Sequence, residues 1–213
     1  MEDYDRWLKA KMAARCVEAL KKNGFDAHWV QTLDQARELV AGLAAEFESF
    51  GFAGSATTRA LGIIELLRQN GKTIFDHWEP GLSDRQELEV RLAQGRCDCF
   101  FCSANAISLS GEIINVDGVG NRTSAMSFGP RRVIIVAGTN KLAPDLHSAL
   151  RRVKEVAAPM RAKSLNMQTP CAETGICVDC NSPQRICRIT TILHRRPSMT
   201  ETAVVLINQN VGF

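Results

Sequence analysis

The sequence has 213 residues, 45% of them hydrophobic and 23% charged, with 26 basic and 23 acidic side chains giving a net charge of +3. That is the length of one domain with a packed core, and it excludes a disordered or fibrous chain. The apolar runs at 133–137 and 203–207 fall far short of the ~20 residues that span a bilayer. The acidic start, Met1-Glu2-Asp3-Tyr4-Asp5, has no apolar signal segment. A single cytoplasmic domain over 1–213 without a membrane span is therefore expected.

In chain order, helical spacing of Trp7, Leu8, Met12, Cys16, Ala19 and Leu20 predicts an amphipathic helix over 4–22, stopped at Gly24. A strand over 25–30 follows, and Thr32 with Gln35 forms a capping box for a helix over 33–47. The pattern then alternates: strand 49–53, helix 57–70, strand 73–75, helix 84–94, strand 97–102. Such alternation implies right-handed crossovers and a mostly parallel sheet flanked by helices, an α/β fold.

Beyond Ser103 the pattern changes. Residues 106–110 and 112–116 are extended runs joined at Gly111 and predict an antiparallel excursion, followed by turn residues at 117–121. Residues 132–137 form a buried strand, Pro144 opens a helix to about Ala157 that Pro159 interrupts, and 202–207 return as a last strand. Cys97, Cys99 and Cys102 lie on a strand, with Cys97 and Cys99 expected on one face and Cys102 on the other, as core residues.

Residues 141–200 hold ten Lys/Arg against four acids, while the rest of the chain is net negative. With one Tyr and no recognition motif, this does not point to nucleic acid. Within it, residues 166–190 form a Cys-rich insertion in which Cys171, Cys177, Cys180 and Cys187 follow C-x5-C-x2-C-x6-C spacing. Four soft thiolates suit an iron–sulfur cluster, the expected cofactor, because only one C-x2-C knuckle is present; a structural zinc and a metal-free loop are the alternatives.

Gly54-Ser55-Ala56-Thr57-Thr58 follows a strand and opens a helix, which places Gly54, Ser55, Thr57 and Thr58 at a strand-end crevice able to take a small anionic substrate. The same residues also make an ordinary helix cap. Asn105, Asn115, Asp117, Asn121 and Arg122 gather amides, a carboxylate and a guanidinium between two core strands and join the list of binding candidates. Glu112 is the candidate catalytic base, on the opposite strand face from Ile113 and Asn115. No histidine pair has metal-ligand spacing, and His77, beside Trp78, stands unassigned at a strand end.

Taken in order, the Gly54–Thr58 turn, the strand leading into Ala104-Asn105-Ala106-Ile107, Gly111-Glu112-Ile113-Ile114-Asn115, Asn121-Arg122 and strand 132–137 make the chain resemble the LUD-domain (lactate-utilization) family. The resemblance implies the fold shared by ribose-phosphate isomerases, glucosamine-phosphate deaminases and CoA transferases. It also implies a place in the oxidation of L-lactate to pyruvate beside iron–sulfur partner proteins, and is compatible with a homo-oligomer. On that basis the chain is expected to be an iron–sulfur accessory. An isomerase- or transferase-like enzyme, or an anion-binding domain with a zinc loop, is the alternative. The surroundings of Glu112 do not follow a CoA-transferase signature closely.

Overall fold

The structure, a computed structural model, describes residues 2–213. Its centre is a six-stranded sheet built from β1 (Asp26–Val30), β2 (Ser49–Phe52), β3 (Thr73–Asp76), β4 (Cys99–Cys102), β7 (Arg132–Gly138) and β10 (Glu201–Ile207). The order is β1-β10-β7-β4-β2-β3, and every pair is parallel. The last strand inserts between β1 and β7, with Ala203 beside Ala27-flanking Asp26 on one side and Ile134 on the other.

A parallel sheet must be covered on both faces, and the alternation along its strands shows how. Val133, Ile135, Ala137, Val204 and Leu206 join Ala13, Cys16, Val17 and Leu20 of α1 (Glu2–Lys22) in one core. Ile134, Val136, Val205 and Ile207 join the opposite core, with Ala36, Val40 and Ala44 of α2 (Leu33–Ala44). Here Phe101 stacks on Phe52 with ring centroids 5.0 Å apart. The buried face of α1 begins near Ala13, whereas Trp7 and Leu8 are exposed.

The antiparallel excursion forms a second, four-stranded sheet, β8-β5-β6-β9. Its strands are β5 (Ala106–Ser108), β6 (Ile113–Asp117), β8 (Leu142–Ala143) and β9 (Ile189–Leu193). The last two were not foreseen from sequence. Ala106, Ile114 and Ala143 pack against Ala149 and Val153 on the helical segment that follows β8.

Several local expectations need correction. The predicted helix 57–70 is two helices, α3 (Ala56–Ala60) and α4 (Ile63–Gln69), separated at Gly62 with φ +62°. The Leu61 carbonyl accepts from the Arg37 guanidinium instead of continuing the helix. Between them in chain order and the second sheet lies α5 (Asp84–Gln94), closed by the Ser83–Gln86 capping box. The turn after β6 continues into α6 (Asn121–Ser127).

Pro144 does not open the next helix: Asp145 caps α7 (Leu146–Arg152) by accepting from Ser148 N at 2.7 Å. Nor does Pro159 break it. A wider π-turn at Val153–Ala157 leads directly into α8 (Ala158–Ser164), and this irregular turn absorbs the hydrogen bond that proline cannot make. Because β4 starts only at Cys99, alternation does not extend back to Cys97. Cys97 and Cys102 lie in the core against α1, and Cys99 in the other. The Cys-rich insertion contains one short helix, α9 (Pro170–Thr174). Among the described residues no helix is long and apolar enough to cross a membrane.

Truncating the stacked, fully buried ring in Phe101→Ala should cost about 3–5 kcal/mol, from lost burial and the cavity left behind. Urea unfolding of the variant should show a lower midpoint at an unchanged slope. A loss under about 1 kcal/mol would mean that this core is not close-packed.

Candidate active site

The carboxyl ends of the parallel strands open into one crevice of about 390 Å³. It sits where the strand order reverses: from β2 the chain runs outward to β3, and from β4 it runs the other way to β7 and β10. Gly54, Ser55 and Thr57 reach it from β2, His77 and Trp78 from β3, Ser103 and Asn105 from β4, and Lys141 from beyond β7. Asp117, Asn121 and Arg122 close one side, while Arg161, Leu165, Met167, Ile186 and Cys187 form another wall. The volume is at the small end of small-molecule sites.

Lys141, which sequence reading passed over, is central to this geometry. It is only 3% exposed, and its Nζ donates to Thr57 Oγ1 at 2.9 Å and to Ser103 Oγ at 2.8 Å. Among the described residues no carboxylate pairs with it. Burial, then Arg152 and Arg122, pull its pKa from 10.5 down to about 7.

Two arginines are placed in the same way. Arg152 gives its guanidinium to the carbonyls of Asn140 and Asn105, at 3.0 and 2.6 Å. Arg161 lies over the Trp78 ring, 4.6 Å from its centroid, and reaches the Gly54 carbonyl at 3.3 Å. Burial lowers the pKa of both, and Arg122 and Arg59 add to the effect at Arg161. Neither has a salt-bridge partner among the described residues. Gly54 is required here, since a Cβ would come within 2.5 Å of the Trp78 ring. Arg59 also lies over that ring, but both oxygens of Asp76 hold it, at 2.7 and 2.8 Å.

Among the described residues, the acidic side chain on the crevice wall is committed already. Asp117 accepts from the backbone of Val119 and Thr123 and lies 3.8 Å from Arg122. Burial alone would raise its pKa, but Arg122 and the turn's amides outweigh that and hold it below the ordinary range. Arg122 also reaches Asn105 Oδ1 and the Val116 carbonyl. A chain of polar contacts backs His77: Gln94 Nε2 meets its Nδ1 at 2.9 Å, Asn121 donates to Gln94 Oε1, and Arg91 donates to Asn121. Burial, then Arg91, lower His77 to about 4, so the ring is neutral at physiological pH.

Of the sequence candidates, Gly54, Ser55, Thr57, Asn105, Asp117, Asn121 and Arg122 meet at the crevice. Thr58 lies beneath it, where its N–H is capped by Ser55 Oγ at 3.2 Å. Asn115 is fully buried, accepting from Asn105 N and donating to Met126 Sδ, which makes it a brace for the Asn105 loop. Glu112 lies outside the crevice, in the turn before β6 and not on the strand expected over 112–116, and accepts from Ser108 and Ser110. Missed from sequence were Lys141, Arg152, Arg161 and the Gln94 relay.

Cys171, Cys177, Cys180 and Cys187 are half-buried free thiols, and Cys187 borders the crevice. Arg185 binds the carbonyls of Cys180 and Cys187, and Arg188 N donates to the Asp117 carbonyl at 2.9 Å, which fastens the loop to the crevice wall. The donor set has soft-metal chemistry. Yet among the described residues no three His, Cys, Asp or Glu side chains are gathered to hold a metal ion. As placed, the four thiols do not share one centre.

The family model for the LUD domain matches residues 13–207. A crystal structure of a DUF162 family protein from Deinococcus radiodurans is similar in fold, with a TM-score of 0.56 at 15% identity, covering 93% of this chain and 98% of that one. No curated protein matches.

The burial of Lys141 has a stability signature. Between pH values of about 7 and 10.5 the unfolded chain holds a proton that the folded chain has lost. Stability therefore rises with pH through that window, and the penalty, on the order of a few kcal/mol, is fully present only below it. Lys141→Met removes the titrating group. Thermal unfolding should find the variant more stable than the parent near neutral pH, with the difference closing towards about pH 10. A difference that does not change with pH would show that Lys141 does not titrate there.

Proposed function

The chain belongs to the LUD-domain family, associated in general with lactate utilization, and from that premise we propose that it binds a small carboxylate metabolite in the strand-end crevice. The observation that carries this reading is charge: Arg161 lines the crevice, part-buried and paired with no carboxylate among the described residues, beside the buried Lys141, and Arg152 lies close enough to Lys141 to act on it. Buried charges are costly unless compensated. A ligand carboxylate supplies the missing countercharge, and the amides and hydroxyls of Asn105, Asn121 and Ser103 are available to a 2-hydroxy or 2-oxo group.

The geometry of Arg161 favours this ligand class. Its guanidinium lies over the Trp78 ring and donates to the Gly54 carbonyl and to Ser164 Oγ, and a guanidinium fork matches a planar carboxylate. Thus Arg161→Ala should weaken binding of L-lactate or pyruvate by about tenfold or more, as measured by titration calorimetry. A Lys11→Ala surface variant should bind as the parent does. Equal affinities for all three proteins would remove the crevice from consideration.

A second reading makes the protein an iron–sulfur accessory in the oxidation of L-lactate to pyruvate, working beside iron–sulfur partner proteins. Four free thiols in one insertion that reaches the crevice at Cys187 favour it. It requires the loop to close its cysteines onto a common centre. Anaerobically purified protein should then contain stoichiometric iron and sulfide, which Cys180→Ala should abolish. Zinc in their place would make the loop a structural clip, and the absence of both would reject this reading.

A further inference from the structure

The hydrogen bonds of Lys141 do more than hold a charge in place. Its Nζ spends two N–H bonds on Thr57 Oγ1 and Ser103 Oγ, and the Thr57 hydroxyl in turn donates to the Val211 carbonyl at 3.3 Å. A neutral amine held this way has both N–H groups satisfied and its lone pair left over. No carboxylate among the described residues draws a third proton onto it, and Arg122 and Arg152 oppose one. Cys102, the remaining titratable neighbour, is a fully buried thiol kept protonated by that burial. An unprotonated amine at the edge of a cavity, with cations beside it, is an arrangement for capturing a carbonyl that carries an anion.

We propose that Lys141 is a covalent nucleophile and that the crevice takes short 2-oxo acids, whose carbonyl carbon Nζ captures as an imine. This rests on the carboxylate-binding reading above and adds to it the reacting atom and the oxidation state of the ligand. In the addition step the Nζ lone pair forms the C–N bond, and the carbonyl π electrons move to oxygen, giving a carbinolamine. In the elimination step the C–O bond breaks, and the oxygen leaves as water with the two hydrogens that began on Nζ. The Ser103 hydroxyl, 2.8 Å from Nζ, is placed to relay one of them. No oxidant or metal enters the balance.

The proposal also explains why the site uses lysine beside arginines. A further arginine would bind the carboxylate as well, but it has no accessible lone pair. With its pKa near 7, Lys141 is substantially unprotonated at neutral pH, whereas an ordinary surface lysine is almost wholly charged. The ligand's carboxylate then falls to Arg161 and its carbonyl to Lys141. A crevice of about 390 Å³ has room for a short acid.

The test is reductive trapping. Wild-type protein is incubated with pyruvate and cyanoborohydride, and the intact mass and peptide map are read for a carboxyethyl group. Acetone serves as a carbonyl without a carboxylate, and L-lactate as a carboxylate without a carbonyl, its binding read by calorimetry. The expected result is a single adduct on Lys141, formed with pyruvate in preference to acetone. Its yield should fall by at least roughly tenfold in Lys141→Met and in Arg161→Ala. Lys141→Arg, which has no accessible lone pair, should trap nothing. Circular dichroism identifies any variant that has not folded, and the wild-type map stands without the variants.

If lactate and pyruvate bind but the adduct is absent or scattered over other lysines, the imine is overturned and carboxylate binding survives. If acetone labels Lys141 as well as pyruvate does, the 2-oxo acid assignment is overturned. If neither acid binds and no adduct forms, both readings fall.

Discussion

Insertion of β10 between β1 and β7 is the constraint on which the rest of the molecule depends. Seven residues pair in parallel with β7, and five pair with β1. Without that strand, β1 loses its place in the sheet and the two helical layers lose the surface they cover. The same pairing carries the chain beyond Ile207 back across the carboxyl ends of the sheet. There Asn140 accepts from Val211 N and donates to the Gly212 carbonyl, and the Val211 carbonyl accepts from Thr57. The strand that closes the sheet thus also presses the final segment against Thr57 and Lys141.

That enclosure creates an electrostatic tension. Basic side chains, Arg161 and Lys141 with Arg152 nearby, are held by neutral oxygens and an aromatic face. Carbonyls and hydroxyls compensate hydrogen-bond donors but do not cancel charge. A fold selected for stability alone would place carboxylates here, as it does where both Asp76 oxygens hold Arg59. The contrast between Arg59 and Arg161, two guanidiniums over one indole, separates a charge used to hold the structure from one left for a ligand. Stability forgone at such a place is an ordinary mark of a functional site.

The periodic part of the fold was legible in the sequence. Buried parallel strands such as 132–137 and 202–207 are continuous apolar runs, and their spacing with capped helices implied the sheet. Gly54 and the Asp117–Arg122 turn were legible as binding candidates because their residue types suit turns at strand ends. Lys141 was not, because in sequence it is one basic residue in Thr139-Asn140-Lys141. Only the placement of β7 beside β4 brings it to Ser103, 38 positions earlier, and to Thr57, 84 positions earlier. Glu112 misled for the same reason: its polarity suggested chemistry, but its hairpin turns it towards Ser108 and Ser110. The π-turn that carries the helix through Pro159, and so presents Arg161 to Trp78, breaks the local rule for proline and could not be read from spacing.

The Cys-rich insertion and the crevice are mechanically one object. Arg188 N hangs from the Asp117 carbonyl, while the Asp117 side chain organises the turn that carries Arg122. On the other side of the insertion, Leu165 and Met167 line the same cavity as Ile186 and Cys187. Any rearrangement of the insertion that displaces Ile186 or Cys187 therefore alters the lining of the crevice that Lys141 also borders.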